Sequence, residues 1–203
     1  MISPIAVNIA VEDELSEMVL RKILQRSERS YVVGQCFRQN GFGYLKKKIA
    51  GFNNAAKGIP FIVLTDLDQS PCPASLIATW LPVPRHNNLI FRVAVREIEA
   101  WLLADRQGLA AFLNISEANI PPDPESVNDP KAALIKAAEK SRSRVIREDL
   151  IPQKGTTGKQ GPNYNGQLCD FVVNHWNVPA AANVATHLKR TLNRLSQFVP
   201  IIP

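Results

Sequence analysis

Cysteine is scarce: three occur in 203 residues. Cys36, Cys72 and Cys169 are far apart, odd in number and form no C-x-x-C pair, so the chain has neither a disulfide framework nor a thiolate zinc site. They read as reduced and structural, the habit of free cysteine. No apolar run approaches the length of a membrane span. The N-terminus also lacks a charged segment ahead of a signal-like core, so the expectation is a cytoplasmic protein with no membrane partner. The histidines, His86, His175 and His187, have no spacing suited to zinc. No G-x-S-x-G elbow, Cys–His pairing or G-x-G-x-x-G fingerprint occurs. The glycine-rich run 155–166 is not a phosphate-cradling P-loop, because Gly155 and Gly158 are too close and Gln160 stands where a hydroxyl residue is needed. Repeats and low-complexity tracts are absent.

What remains is ordinary in bulk. The chain is 45% hydrophobic and 21% charged, as in a soluble globular protein. Its length suits one core, or one core with an appendage. The net charge of +6 leans toward the C-terminal half. A basic chain that gathers its acids at a few points suits a polyphosphate substrate.

Those points are strand ends. Phe61 to Leu64 is a short apolar, β-branched run bounded by Gly58 and Pro60 before it and Gln69-Ser70-Pro71 after it, which predicts a fully buried strand. It ends in Asp66 and Asp68. Extended-chain alternation predicts that both carboxylates point to one side, where they repel unless a cation or proton lies between them. Ile5 to Val11 is a second such run and stops at Glu12-Asp13-Glu14. Leu15 to Leu24 then shows helical spacing, the opening of a βαβ unit. Asp13 and Glu14 suit helix capping, whereas Glu12 stands where a functional side chain is usually placed. Asn88 to Val95 is a third run, followed by Arg96-Glu97-Ile98-Glu99.

Other elements follow from the same rules. Tyr31 to Phe37 is expected as a strand, leading through the glycine turn 38–44 to a helix over Leu45 to Phe52. Its lysines Lys46, Lys47 and Lys48 read as a solvated face. Helices are expected over Ala74–Trp80, from Ile98, around Leu109–Leu113, over Lys131–Lys140, Gly166–Asn174 and Ala180–Phe198. The segment from Arg142 to Lys154 reads as basic, Gly155–Gly166 as a flexible turn-rich loop, and the tail after Phe198 as extended. The expected organisation is an α/β core over residues 1–106 and a mainly helical region over 107–203.

The stretches Ile-Ala-Val-Glu12-Asp-Glu-Leu-Ser-Glu17, Val-Leu-Thr-Asp66-Leu-Asp68 and Arg96-Glu97-Ile-Glu99-Ala-Trp-Leu-Leu-Ala-Asp105 together resemble TOPRIM-like proteins. They are most similar to small bacterial relatives of the nuclease domain in overcoming-lysogenization-defect proteins. The resemblance covers residues 5–105. It implies a Rossmann-like, mainly parallel sheet and a nuclease dependent on Mg²⁺ or Mn²⁺ that acts on DNA or RNA. It also implies the effector half of a phage-defence pair, with an ATPase encoded nearby as partner. By position it makes Glu12, Asp66 and Asp68 catalytic and metal-binding, and Glu97 and Glu99 the acids of a second metal site. Asp13 stands where many members have glycine.

Carboxylate oxygens suit hard divalent cations independently of that resemblance. Glu12 suits either water activation or metal ligation, and Arg96, Lys154 and Lys159 are the candidate phosphate contacts. Two other readings fit the same residues. One is a non-catalytic subunit that binds nucleic acid or a partner. The other is a phosphoacceptor domain, disfavoured because Glu97 occupies a position where a hydroxyl residue or lysine is expected. An oligomer is compatible with all three.

Overall fold

The computed structural model describes residues 3–39 and 43–201. The chain divides into two compact units, Met1–Val95 with Lys189–Pro203, and Arg96–Leu188. The expected boundary near residue 106 therefore falls inside the second unit. Arg96 already leaves the sheet, and the C-terminal residues return to the first unit.

The first unit is built on four strands: β1 (Ile5–Val11), β2 (Tyr31–Arg38), β3 (Phe61–Asp66) and β4 (Leu89–Ala94). They form one sheet in the order β2-β1-β3-β4, and every pairing is parallel. With three intervening helices this is a Rossmann-like α/β arrangement, as expected from the sequence. The helices are α1 (Glu14–Arg26), α2 (Tyr44–Ala55) and α3 (Pro73–Trp80). Parallel neighbours need such crossovers, and covering the sheet explains why β3 is buried from Phe61 to Thr65 without alternation.

Leu45, Ile49 and Phe52 of α2 and Leu76 of α3 pack with Phe61, Val63, Phe91 and Val93 on one face of the sheet. Phe52 stacks on Phe61 with ring centroids 5.3 Å apart. Burying a side chain of this size contributes about 1.5–3 kcal/mol. The alternate residues, Ile62, Ile90 and Arg92 among them, point to the other face. There Arg92 Nε donates to the hydroxyl of buried Thr191 at 3.0 Å, which seats the returning C-terminal helix.

The sheet has one irregularity. Between Val7 and Ile9 the pairing with β2 shifts by one residue. The Asn8 side chain fills the gap and accepts from the Gln35 N–H at 2.9 Å. A Cβ on Gly34 would meet that same oxygen at 2.9 Å, so a larger residue there would displace the Asn8 side chain from this bond. At the far end of the unit the buried Asn88 amide pairs with both backbone groups of Ile201, each at 2.8 Å. This holds the tail in place. Asn40, Gly41 and Phe42 of the expected glycine turn lie outside the described residues.

The second unit is helical: α4 (Ile98–Leu103), α5 (Arg106–Leu113), α6 (Pro130–Ala138), α7 (Arg144–Leu150), α8 (Tyr164–Asp170), which runs into a π turn over Phe171–His175, and α9 (Val178–Val184). Two features of this unit go beyond the sequence reading. The basic stretch, to which the sequence reading assigned no element, contains α7, started by the Ser143 hydroxyl, which accepts from Ile146 N–H, and supported by the Arg144–Glu148 pair. The single helix expected over Ala180–Phe198 breaks at the extended Ala185 into α9 and α10 (Thr186–Ser196). Glu125 makes that break tolerable, because its carboxylate accepts from His187 N–H at 2.9 Å and meets the His187 ring at 3.0 Å.

Helix α1 begins where a carboxylate can close it: the Asp13 side chain accepts from Ser16 N–H at 2.8 Å. Asp13→Ala is expected to cost about 0.5–2 kcal/mol, and Asp13→Asn much less, because Asn also caps. Urea unfolding of the three proteins measures this, and equal midpoints would show that the cap contributes nothing.

Candidate active site

In a doubly wound sheet, ligands collect at the carboxyl ends of the strands where the strand order reverses. Here the chain passes from β1 outward to β2 and returns on the other side of β1 to β3, so the reversal lies between β1 and β3. Glu12 is the first residue after β1, and Asp66 is the last residue of β3. The crossover order therefore brings together two acidic residues that are 54 positions apart in sequence.

Glu12 is held rather than loose. Its carboxylate accepts a short hydrogen bond from the Thr65 hydroxyl and another from the Asp66 backbone. Its acidity is a contest. Burial, reinforced by the negative charges of Asp68 and Asp13, raises its pKa above the ordinary carboxylate range against the opposing pull of Thr65. Thr65 is itself buried and is the site residue that sequence reasoning missed. Its only signal is a hydroxyl at the end of an otherwise apolar run.

Asp66 and Asp68 do not share a side by strand alternation, contrary to expectation. The strand stops at Asp66, Leu67 turns inward and is buried, and its N–H donates to Ala94 O at 2.9 Å. Asp68 then takes a left-handed φ of 49°, uncommon outside glycine and tolerated best by Asn and Asp. It is exposed and lies within electrostatic reach of Glu12.

Among the described residues no three His, Cys, Asp or Glu side chains are drawn into a set that could enclose a metal ion. The donors still suit a hard cation. Mg²⁺ keeps several waters and uses one or two carboxylates, so an ion held at Asp66 or Asp68 through waters would not need Glu12, which is engaged with Thr65. An ion there would also offset the repulsion at Glu12.

The remaining predicted residues belong to the second unit. The Glu97 carboxylate accepts from Lys131 N–H at 3.0 Å, at the N-terminus of α6. Together with Asp129, Lys131, Lys136, Glu139 and Lys159 it lines an open cleft of about 660 Å³. Lys159 thus lines the same cleft as Glu97, whereas Lys154 is exposed in the turn before Gly155. Arg96 is half-buried at the start of the unit.

Glu99 departs furthest from expectation. Only 2% exposed, it accepts from Tyr164 Oη–H at 3.1 Å and pairs with Lys131 Nζ at 3.4 Å. A carboxylate committed to these two partners is a structural anchor rather than a ligand for a second metal. The neighbouring Trp101, Leu102 and Leu103 are fully buried, and Asp105 caps α5 at Gly108 while accepting from Asn177 N–H at 2.7 Å. Most of the Arg96–Asp105 motif therefore builds the helical core.

Burial raises the Glu99 pKa above its ordinary value of 4.5, with Glu97 adding to the effect and Lys131 opposing it. A carboxyl raised in this way binds its proton more tightly when folded. Its contribution to stability is full below the unfolded pKa and is lost as pH rises through the folded value. Glu99→Gln, which stays neutral, is expected to lose less stability than wild type from about pH 5 to pH 8 in urea titrations. Parallel pH profiles would show that Lys131 already cancels the burial cost.

The sequence profile of one family, described as Domain of unknown function (DUF4276), matches residues 11–161. The match takes in Glu12, Asp66, Asp68, Glu97, Glu99, Lys154 and Lys159. No curated protein and no solved structure matches the chain.

Proposed function

The chain belongs to the DUF4276 family, and from the chemistry of its own site we propose that it is a divalent-metal-dependent nuclease hydrolysing phosphodiester bonds of DNA or RNA. The observation that carries this is the placement of Glu12, Asp66 and Asp68 at the β1/β3 reversal, an all-carboxylate donor set in a protein of net charge +6. The resemblance of the same stretches to TOPRIM-like nucleases supports the reading, and it is the sole support for a partner ATPase and a role in phage defence.

Asp66 and Asp68 would hold Mg²⁺ or Mn²⁺, which when bound supplies charge stabilisation to the phosphoryl oxygens. Glu12, oriented by the Thr65 hydroxyl, would accept the proton of the attacking water. Arg96 and Lys159 are the cations proposed to contact phosphate. Hydrolysis is then a displacement at phosphorus in which water adds, the ester oxygen leaves and the water proton passes to Glu12.

A second reading, a non-catalytic subunit that binds nucleic acid or a partner, draws on the absence of a three-carboxylate cluster among the described residues. One assay separates the two. Plasmid, single-stranded DNA and tRNA are incubated with Mg²⁺ or Mn²⁺ and wild-type protein, Asp66→Ala or Glu12→Gln. The nuclease reading expects metal-dependent cleavage by wild type, lost in Asp66→Ala and reduced about 10²–10⁴-fold in Glu12→Gln. Cleavage that persists in Asp66→Ala would remove the carboxylates from the mechanism. No cleavage by wild type, with its proposed ATPase partner present, would favour the binding subunit.

A further inference from the structure

Away from the carboxylates, the first unit carries an arginine cluster that the nuclease reading does not use. Arg92 rises from β4 on the face opposite α2 and α3 and bonds Thr191. Arg190 immediately precedes Thr191, and Arg194 lies one helical turn beyond Arg190 on the same face of α10. The Arg194 guanidinium sits 5.7 Å from the centre of the Phe198 ring, which steadies it. Arg85, just ahead of β4, is within electrostatic reach of Arg194, and Arg92 is within reach of Arg85, Arg190 and Arg194.

Among the described residues none of these four arginines makes an ion pair, and no carboxylate acts on Arg85 or Arg92. A carboxylate cluster can relieve its repulsion by taking up a proton, but a guanidinium at neutral pH cannot release one. Relief must come from an anion. Arg190 and Arg194 stand exposed on a helix surface, a setting suited to a long polyanion running across it rather than to an enclosed small molecule.

We infer that Arg85, Arg92, Arg190 and Arg194 form a docking surface for the phosphate backbone of nucleic acid, separate from the Glu12/Asp66/Asp68 site. The choice of nucleic acid as the polyanion rests on the proposed nuclease reading. The charge arrangement does not. Guanidinium groups match phosphate oxygens in pairs, and such contacts position a duplex without reading its sequence.

The test is fluorescence anisotropy with a labelled DNA duplex of about twenty base pairs, in EDTA, titrated over salt. The proteins are wild type, the double variant Arg190→Ala/Arg194→Ala, and Lys46→Ala/Lys47→Ala, which removes equal charge from the exposed side of α2. The arginine pair is expected to weaken binding about tenfold or more and to flatten the salt slope by roughly 2, with the lysine pair close to wild type. Circular dichroism confirms that the variants fold, which is expected because all four substituted residues are exposed. Equal losses in both variants would reduce the effect to net charge and overturn the proposal. So would an unchanged arginine variant, no wild-type binding, or tighter arginine-dependent binding to phosphatidylserine vesicles than to DNA. Because EDTA prevents cleavage, arginine-dependent binding by a protein that never cleaves would remove the nuclease reading and leave this surface standing.

Discussion

The hydrogen bonding of β1 on both its edges, to β2 on one side and β3 on the other, is the constraint from which the candidate site follows. A parallel strand can gain two neighbours only if the chain crosses the sheet twice. In the order β2-β1-β3 the second crossing passes back over β1. The helices that follow β1 and β2 then cover different faces, leaving a notch at the carboxyl ends where backbone N–H groups and strand-end side chains are free to face a ligand. Glu12 and Asp66 are neighbours because of that order. Had β3 paired beyond β2, the same two residues would stand two strands apart.

Two acids of one short motif illustrate how burial decides a role. Glu97 and Glu99 are separated by one residue, yet Glu97 lines an open cleft and Glu99 is 2% exposed. The cause is the start of α4 between them. Glu97 stands at the N-cap and keeps extended backbone, whereas Glu99 lies in the first turn, where its side chain is directed into the packing of α4 with α6. A buried carboxylate without partners would be costly, so Tyr164 and Lys131 are what make this position available to glutamate at all. Lys131 serves both acids, through its backbone N–H at Glu97 and its ammonium at Glu99.

The strands and the residues ending them are legible in the sequence because their signals are local. Phe61 to Leu64 is an apolar run and Leu89 to Ala94 a run broken only by Arg92, and burial on both faces favours the extended conformation for each. What is not legible depends on distant partners. The turn at Asp68 follows from Leu67 being drawn inward to bond Ala94, which no spacing rule announces. The break at Ala185 needs Glu125, sixty-two positions from the residue it caps. Thr65 finds Glu12 across 53 positions. Helix α7 is the exception, since Ser143 and the Arg144–Glu148 spacing are local signals. Its single buried stripe of Ile146 and Leu150 is too narrow to stand out among so many charges. The anchoring role of Glu99 is illegible for a further reason. An acid after a strand looks the same whether the helix that follows is solvated or buried.

Beside the paired charges of Glu17, Arg21 and Arg38, the first unit carries two groups of like charge that answer to different chemistry. At the carboxyl end, Glu12 gains from burial a tendency to take up a proton, so the repulsion among Glu12, Asp13 and Asp68 has an internal outlet that depends on pH. On the α10 face, burial and neighbouring arginines push Arg92 below the ordinary guanidinium range, yet from a starting point so high that it stays charged at neutral pH. The arginine cluster therefore has no outlet within the described residues, and its field reaches into solvent. A fold that needed these charges only for stability would have set carboxylates beside arginines, as Glu17 is set beside Arg21 and Arg38 on α1 and β2. Their separation leaves the first unit with an acidic strand-end group and an arginine face, the two features on which the proposed metal site and the proposed phosphate surface respectively rest.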